Sequence, residues 1–153
     1  MAYLKGQGAT EYLVLLAVVL IIALVSIALL GFFPGMASDA KITQSNSYWQ
    51  GQARPFSIVE IRVNATGGQG TVILQNVEAS GTYRLNQINV SSGTNNTQTY
   101  FGPGEKKSLL LTGLPTCSSA GGVFDYQVNI SYTTPTNLNS LQYGSKNIIG
   151  KCI

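Results

Sequence analysis

The chain has 153 residues with a formal net charge of +3, and only 10% of its residues are charged. That length suits one modest domain, or a small domain with an appendage. The chain contains no histidine, few carboxylates and no dense run of Lys and Arg, which argues against a catalytic site, a metal site and nucleic-acid binding. We therefore expect neither an enzyme nor a bound cofactor.

The first predicted element is an apolar helix. Every residue from Leu13 to Leu30 is apolar except Ser26. As a helix rising about 1.5 Å per residue, this run would span roughly 27 Å, close to the hydrocarbon core of a bilayer. It has no polar face, so lipid or protein must surround it. Because proline lacks an amide donor, we expect Pro34 to end the helix, which would then occupy residues 7–33.

The segment before the apolar run reads KGQGATEY and admits three interpretations. It could precede a plain membrane anchor, or belong to a secretory signal that is cut after Ala37. A peptidase could instead cut between Gly6 and Gln7, which would leave the helix on the mature protein. The long apolar run argues against a conventional secretory signal, and Glu11 interrupts the cationic lead-in that such a signal requires.

The order of these residues resembles the class III signal peptide of archaeal type IV pilins. The resemblance lies in Lys5-Gly6, then QGATEY, then the Leu/Val/Ile run, and it covers about the first 30 residues. Ala9 and Thr10 stand where family members often have serine. The resemblance implies that prepilin peptidase removes residues 1–6 as a leader, so that Gln7 becomes the first mature residue.

Glu11 lies at the edge of a segment that otherwise excludes charge. A carboxylate at the centre of a membrane helix costs roughly 2.5–3.5 kcal/mol, so Glu11 needs a partner or a hydrated position. The resemblance implies that it attracts the terminal amine of a neighbouring subunit during polymerisation. Two alternatives within one chain stay open, namely pairing with the amine of Gln7 four residues away and stabilisation by the helix N-terminus.

The same resemblance implies a structural subunit of an extracellular pilus that serves surface adhesion. The precursor would sit in the membrane with its N-terminus in the cytoplasm, and the assembly machinery would then polymerise it with copies of itself into a helical filament. The helix positions expected in the filament core are Leu13, Leu16, Leu20, Leu24 and Ile27. The main alternative is a monomeric, membrane-anchored binding protein of the cell surface.

The rest of the chain predicts a β domain over residues 56–153. Residues 34–55 are polar and would form a linker or an extension of the helix. The run FSIVEIRV then alternates, with Val59, Ile61 and Val63 opposite Glu60 and Arg62, and VFDYQVNISY reads as one longer strand of the same kind. Several short strands with turns between them predict an α+β fold, a long hydrophobic helix followed by a small antiparallel β-sandwich or barrel-like domain.

Two further features are typical of an exported chain. Cys117 and Cys152 would form one disulfide outside the cytoplasm and hold the last strand. Four Asn-x-Ser/Thr sequons also occur, and we expect at least one of them to carry a glycan. The acceptor asparagines are Asn64, Asn89, Asn95 and Asn129.

Overall fold

The computed structural model describes residues 7–117 and 119–153. In this part of the chain a single helix, α1, precedes ten strands. The chain divides into two compact units, Met1–Asp39 and Ala40–Ile153. The expected fold class is confirmed, because a long N-terminal helix is followed by an antiparallel sheet that curls into a half-barrel.

Helix α1 runs from Gln7 to Gly51 and contains 45 residues. The expectation that Pro34 ends it is wrong, since the helix continues through the proline. An internal proline costs about 3 kcal/mol through one lost hydrogen bond and a clash with the preceding turn. Tertiary packing stabilises helices more than local propensity does, and the last turns of α1 are packed in this way. Helix extension, not a linker, therefore follows the apolar run.

The strands form two antiparallel sheets. The larger sheet has eight strands in the order β1-β2-β6-β4-β3-β8-β9, with β5 also paired to β3, and β7 and β10 form the smaller one. In chain order the strands are β1 Phe56–Val63, β2 Gln69–Asn76, β3 Tyr83–Val90, β4 Gly93–Asn95, β5 Thr99–Phe101, β6 Lys106–Thr112, β7 Val123–Tyr126, β8 Val128–Thr133, β9 Asn139–Tyr143 and β10 Ile148–Lys151.

The core of the unit Ala40–Ile153 lies between the large sheet, the small sheet and the end of α1. Aromatic rings form its centre, where Phe56 makes edge-to-face contacts with Phe101 and Tyr132 at centroid distances of 5.2 and 5.7 Å. Phe124 of β7 and Trp49 of α1 are buried in the same cluster. Edge-to-face ring pairs add to the stabilisation that burial alone provides.

Hydrogen bonds hold the last turns of α1 to this unit. The hydroxyl of Ser45 donates to the carbonyl oxygen of Asn147 and accepts from the amide of Ile149, both at 2.9 Å. One turn later, the phenol oxygen of Tyr48 accepts from the amide of Ser145 at 3.1 Å. Trp49 is fully buried beside them. The helix from residue 40 onward therefore belongs to the β domain.

A buried glutamine joins the two end strands of the large sheet. Gln142 of β9 donates to the carbonyl oxygen of Phe56 in β1 at 2.7 Å and accepts from the amide of Phe56 at 3.1 Å. Its side chain thereby satisfies two backbone groups where neither strand has a further neighbour in the sheet. Buried backbone groups without partners are costly, so this side chain lets the sheet curl without an unpaired edge at that point.

We expect Gln142→Leu to lower the free energy of unfolding by about 2–4 kcal/mol, because both backbone groups of Phe56 would stay buried without partners. Denaturant unfolding of the full chain in detergent, followed by the fluorescence of Trp49, would measure the change. The matched control is Gln75→Leu, whose amide donates to Gly104 at an exposed position. An equal loss in both variants would contradict this role for Gln142.

The single strand expected over residues 123–132 is wrong, because the chain leaves one sheet and enters the other at Gln127. β7 pairs with β10, whereas β8 pairs with β3 and β9. The alternation of apolar side chains nevertheless continues across the break, since Phe124, Val128 and Ile130 are all buried. Both strands face the same core, so the sequence pattern carries no sign of the change of sheet.

Candidate functional site

The apolar part of α1 is the most unusual surface of the described chain. By length and composition this helix could cross a membrane, and its most apolar window is not buried at all. The five positions expected in a filament core are exposed, from Leu16 at 44% to Leu24 at 67%. Contiguous apolar surfaces of this size mark contacts with a membrane or with other proteins.

The apolar surface extends around the whole circumference of the helix. Five consecutive side chains, those of residues 18 to 22, are each between 48% and 63% exposed. Successive helical residues point about 100° apart, so five of them cover every direction. Such a helix is stable only where apolar groups surround it on all sides.

Ser26 has the only polar side chain between Leu13 and Leu30, and its hydrogen bond is made within the helix. Its hydroxyl donates to the carbonyl oxygen of Ile22 at 2.8 Å. Such bonds to the preceding turn satisfy serine without an outside partner. The helix therefore presents no polar donor that lipid or a neighbouring helix would have to satisfy along this run.

Glu11 is the fifth residue of α1, and the first turn contains no acidic residue. The positive end of a helix stabilises charges within the first turn, so this contribution is small at Glu11. Within the described residues, no cation lies within ion-pair distance of its carboxylate. The role of Glu11 in assembly stays a prediction.

The proposed leader cleavage site lies at the edge of the part of the chain that the structure describes. Gly6 and the rest of residues 1–6 lie outside the described residues, whereas Gln7 is the first residue of α1. Cleavage between Gly6 and Gln7 therefore stays a prediction.

The predicted disulfide is confirmed. Cys117 is bonded to Cys152, which directly follows β10. The segment after Cys152 is also held by the backbone, since the amide of Ile153 donates to Val63 and its carbonyl accepts from Ala65. Burial raises the pKa of Tyr126, whose phenol donates to the carbonyl oxygen of Pro115 close to the bridge. A disulfide and an apolar N-terminal helix together indicate an extracytoplasmic protein that is membrane-bound or secreted.

The acceptor asparagines of the four sequons differ in their hydrogen bonds and in their burial. Asn95 donates to Leu110 at 2.7 Å and accepts from Thr97 at 3.0 Å. Asn89 accepts from Gln87, and it lies opposite Asn129 on the neighbouring strand. Asn89 and Asn95 are both half-buried within paired strands.

Asn64 is the most accessible acceptor. It is exposed at the end of β1, where the chain leaves the sheet. We expect Asn64→Gln to remove a glycan from the exported protein, detected as a loss of mass in intact-protein mass spectrometry. The matched variant Asn129→Gln should leave the mass distribution otherwise unchanged. Loss of glycan mass from Asn129→Gln alone would contradict this ranking.

The residues that attach α1 to the β domain were not predicted from the sequence. Ser45, Tyr48 and Trp49 follow the helical spacing of three and four residues, which is the signal that could have identified them. They lie in a segment rich in Gln, Asn and Ser, where few of the positions at that spacing hold apolar residues. Gln142 was missed as well, because no pattern distinguishes a buried glutamine from an exposed one.

No family model matches this chain, and no curated protein is significantly similar to it. The architecture itself is pilin-like, a long apolar N-terminal helix followed by an antiparallel β-sheet.

Proposed function

We propose that this chain is a structural subunit of an archaeal type IV-like pilus, which polymerises through its N-terminal helix. The observation that carries the proposal is the apolar surface of α1 from Leu13 to Leu30, exposed in every direction. A bilayer satisfies such a helix before assembly, and a bundle of identical helices satisfies it afterwards. Repetition of one head-to-tail contact that does not close generates a helical filament.

The β domain would form the outer layer of this filament. Its core is formed within one chain and includes a disulfide, and its sequence is rich in amides and hydroxyls. Such a composition suits contact with water, glycans and external materials. The chain would then serve a structural and adhesive role, with prepilin peptidase and the assembly machinery as its transient partners.

The decisive experiment combines mass spectrometry with electron microscopy of material sheared from cells. A mature N-terminus at Gln7 in filaments that contain this chain is the expected result. Filaments would be absent for a monomeric membrane-anchored protein that keeps the same N-terminus. A mature N-terminus at Ser38 would overturn the proposal, because the helix would then have been removed.

We expect Glu11→Gln to lower the yield of filaments about fivefold or more, with mature subunits accumulating in the membrane. A terminal amine buried among apolar helices would lose its compensating charge, and an uncompensated buried charge is strongly destabilising. Immunoblots of sheared and membrane fractions would measure the shift. The control is Glu60→Gln, which removes an exposed carboxylate on β1. Normal filament yield from Glu11→Gln would contradict a role in assembly.

A further inference from the structure

A second feature of the β domain is an open cleft between the last turns of α1 and strand β10. Its volume is about 270 Å³, and its lining includes Lys41, Ser45, Asp125, Lys146 and Asn147. This volume is just below the range of drug-sized ligand pockets, so the cleft fits a group as small as one sugar residue.

Hydrogen bonds keep the floor of this cleft in place. The hydroxyl of Ser45 joins the backbone of Asn147 and Ile149, as described above, and Ser45 is itself buried. The amide of Asn147 donates to the carboxylate of Asp125 at 2.6 Å. These bonds hold the backbone of the segment before β10 against α1, so Lys41 on the helix and Lys146 in that segment extend from fixed backbone positions.

The cleft carries uncompensated positive charge. The three glutamates of the β domain, Glu60, Glu78 and Glu105, pair with Arg62, Arg54 and Lys107 respectively. Asp125 is then the one carboxylate in the cleft lining, and it offsets only one of the two lysine charges there. Across the described chain, neither Lys41 nor Lys146 has a carboxylate within ion-pair distance.

We propose that this cleft binds the carboxylate of a uronate residue in an acidic polysaccharide. Two ammonium groups would flank the anion, and the side-chain amides of Gln44 and Asn147 in the lining can bond to sugar hydroxyls. The inference goes beyond the filament proposal, since it names a ligand class for the β domain. It does not require polymerisation, so the two proposals fail independently.

The test uses the full chain dispersed in an uncharged detergent, with polygalacturonate as the probe. Biolayer interferometry would compare this polymer with its fully methyl-esterified form, which has the same sugars without the charge. The expected result is binding to the acid form alone, weakened by added salt because exposed charges are screened. Equal binding of the ester would overturn the proposal.

Three variants locate the binding. The double variant Lys41→Gln/Lys146→Gln should bind polygalacturonate roughly tenfold more weakly, as expected for the loss of two exposed ion pairs. Lys106→Gln removes an exposed lysine on β6 and should bind like the unaltered chain. Asp125→Asn should bind roughly twofold to threefold more tightly, since the only competing carboxylate of the cleft is gone.

The outcomes separate a specific cleft from general charge attraction. An equal loss of affinity in Lys106→Gln and in the double variant would overturn the proposal, because any lysine would then serve. Unchanged affinity in the double variant would overturn it too. The gain expected for Asp125→Asn guards against misfolding, since a damaged domain would lose binding and not gain it.

Discussion

Filaments should be absent from cells that express Leu20→Lys as their only copy of this chain. Leu20 lies near the middle of the apolar run and is 55% exposed, so its side chain must contact lipid or another helix. A lysine at the centre of a membrane helix costs roughly 2.5–3.5 kcal/mol on insertion scales. In a bundle of identical helices every subunit would repeat that cost. Electron microscopy of sheared material would record the loss.

Two measurements make this result specific to the helix. The matched control is Leu110→Lys, which makes the same change at an exposed leucine of β6 and should leave filaments intact. Immunoblotting of membrane fractions would separate a failure of insertion from a failure of assembly. Normal filaments from Leu20→Lys would show that this face of α1 contacts neither lipid nor neighbouring subunits.

We expect Cys117→Ala/Cys152→Ala to lower the free energy of unfolding of the β domain by about 3.5–4 kcal/mol. The two cysteines are separated by 35 residues, and a bridge across such a loop restricts the unfolded chain strongly. The backbone bonds from Cys152 to Gly121 and Gly122 remain, so the domain should still fold. Denaturant unfolding of the full chain in detergent would measure the loss.

Reduction gives an internal control for this prediction. A reductant should destabilise the unaltered chain by a similar amount and leave the double variant unaffected. If the double variant unfolds at the same denaturant concentration as the oxidised chain, the bridge contributes nothing to stability. Trp49 is the only tryptophan and is fully buried, so its fluorescence would report on the β domain without a label.

The sequence was sufficient to predict the elements whose patterns are local and long. The apolar run predicted α1, because eighteen residues with one polar member allow few other structures. The same reasoning failed at Pro34, where a local rule was outweighed by packing of the later turns at Ser45 and Trp49. Local propensity carries no information about contacts that are remote in sequence.

The strands were likewise predicted correctly in part and wrongly in part. Glu60 and Arg62 were correctly placed on the outer face of β1, yet a bulge between Ile58 and Glu60 shifts the inner positions, and Ile58 is buried where Val59 was expected. The position of a bulge depends on the partner strand, which the sequence does not name. The change of sheet at Gln127 was invisible for the same reason.

Some of the candidate sites could be predicted from the sequence, whereas others depend on the fold or on other molecules. The disulfide followed from two cysteines in an exported chain, and the structure confirms it. The cleft at Lys41 and Lys146 could not be predicted, since 105 positions separate the two lysines and only the fold brings them to one cleft. The leader site and the role of Glu11 depend on other molecules, so they stay predictions.

The attachment of the last helical turns has a practical consequence for making a soluble fragment. A fragment starting at Phe56 would omit Trp49 and leave a cavity the size of an indole ring in the hydrophobic interior. Loss of a buried tryptophan side chain alone typically costs about 3–5 kcal/mol. A fragment that starts at Ala40 keeps Trp49, the two hydrogen bonds of Ser45 and the lysines of the cleft, while it omits the apolar part of α1.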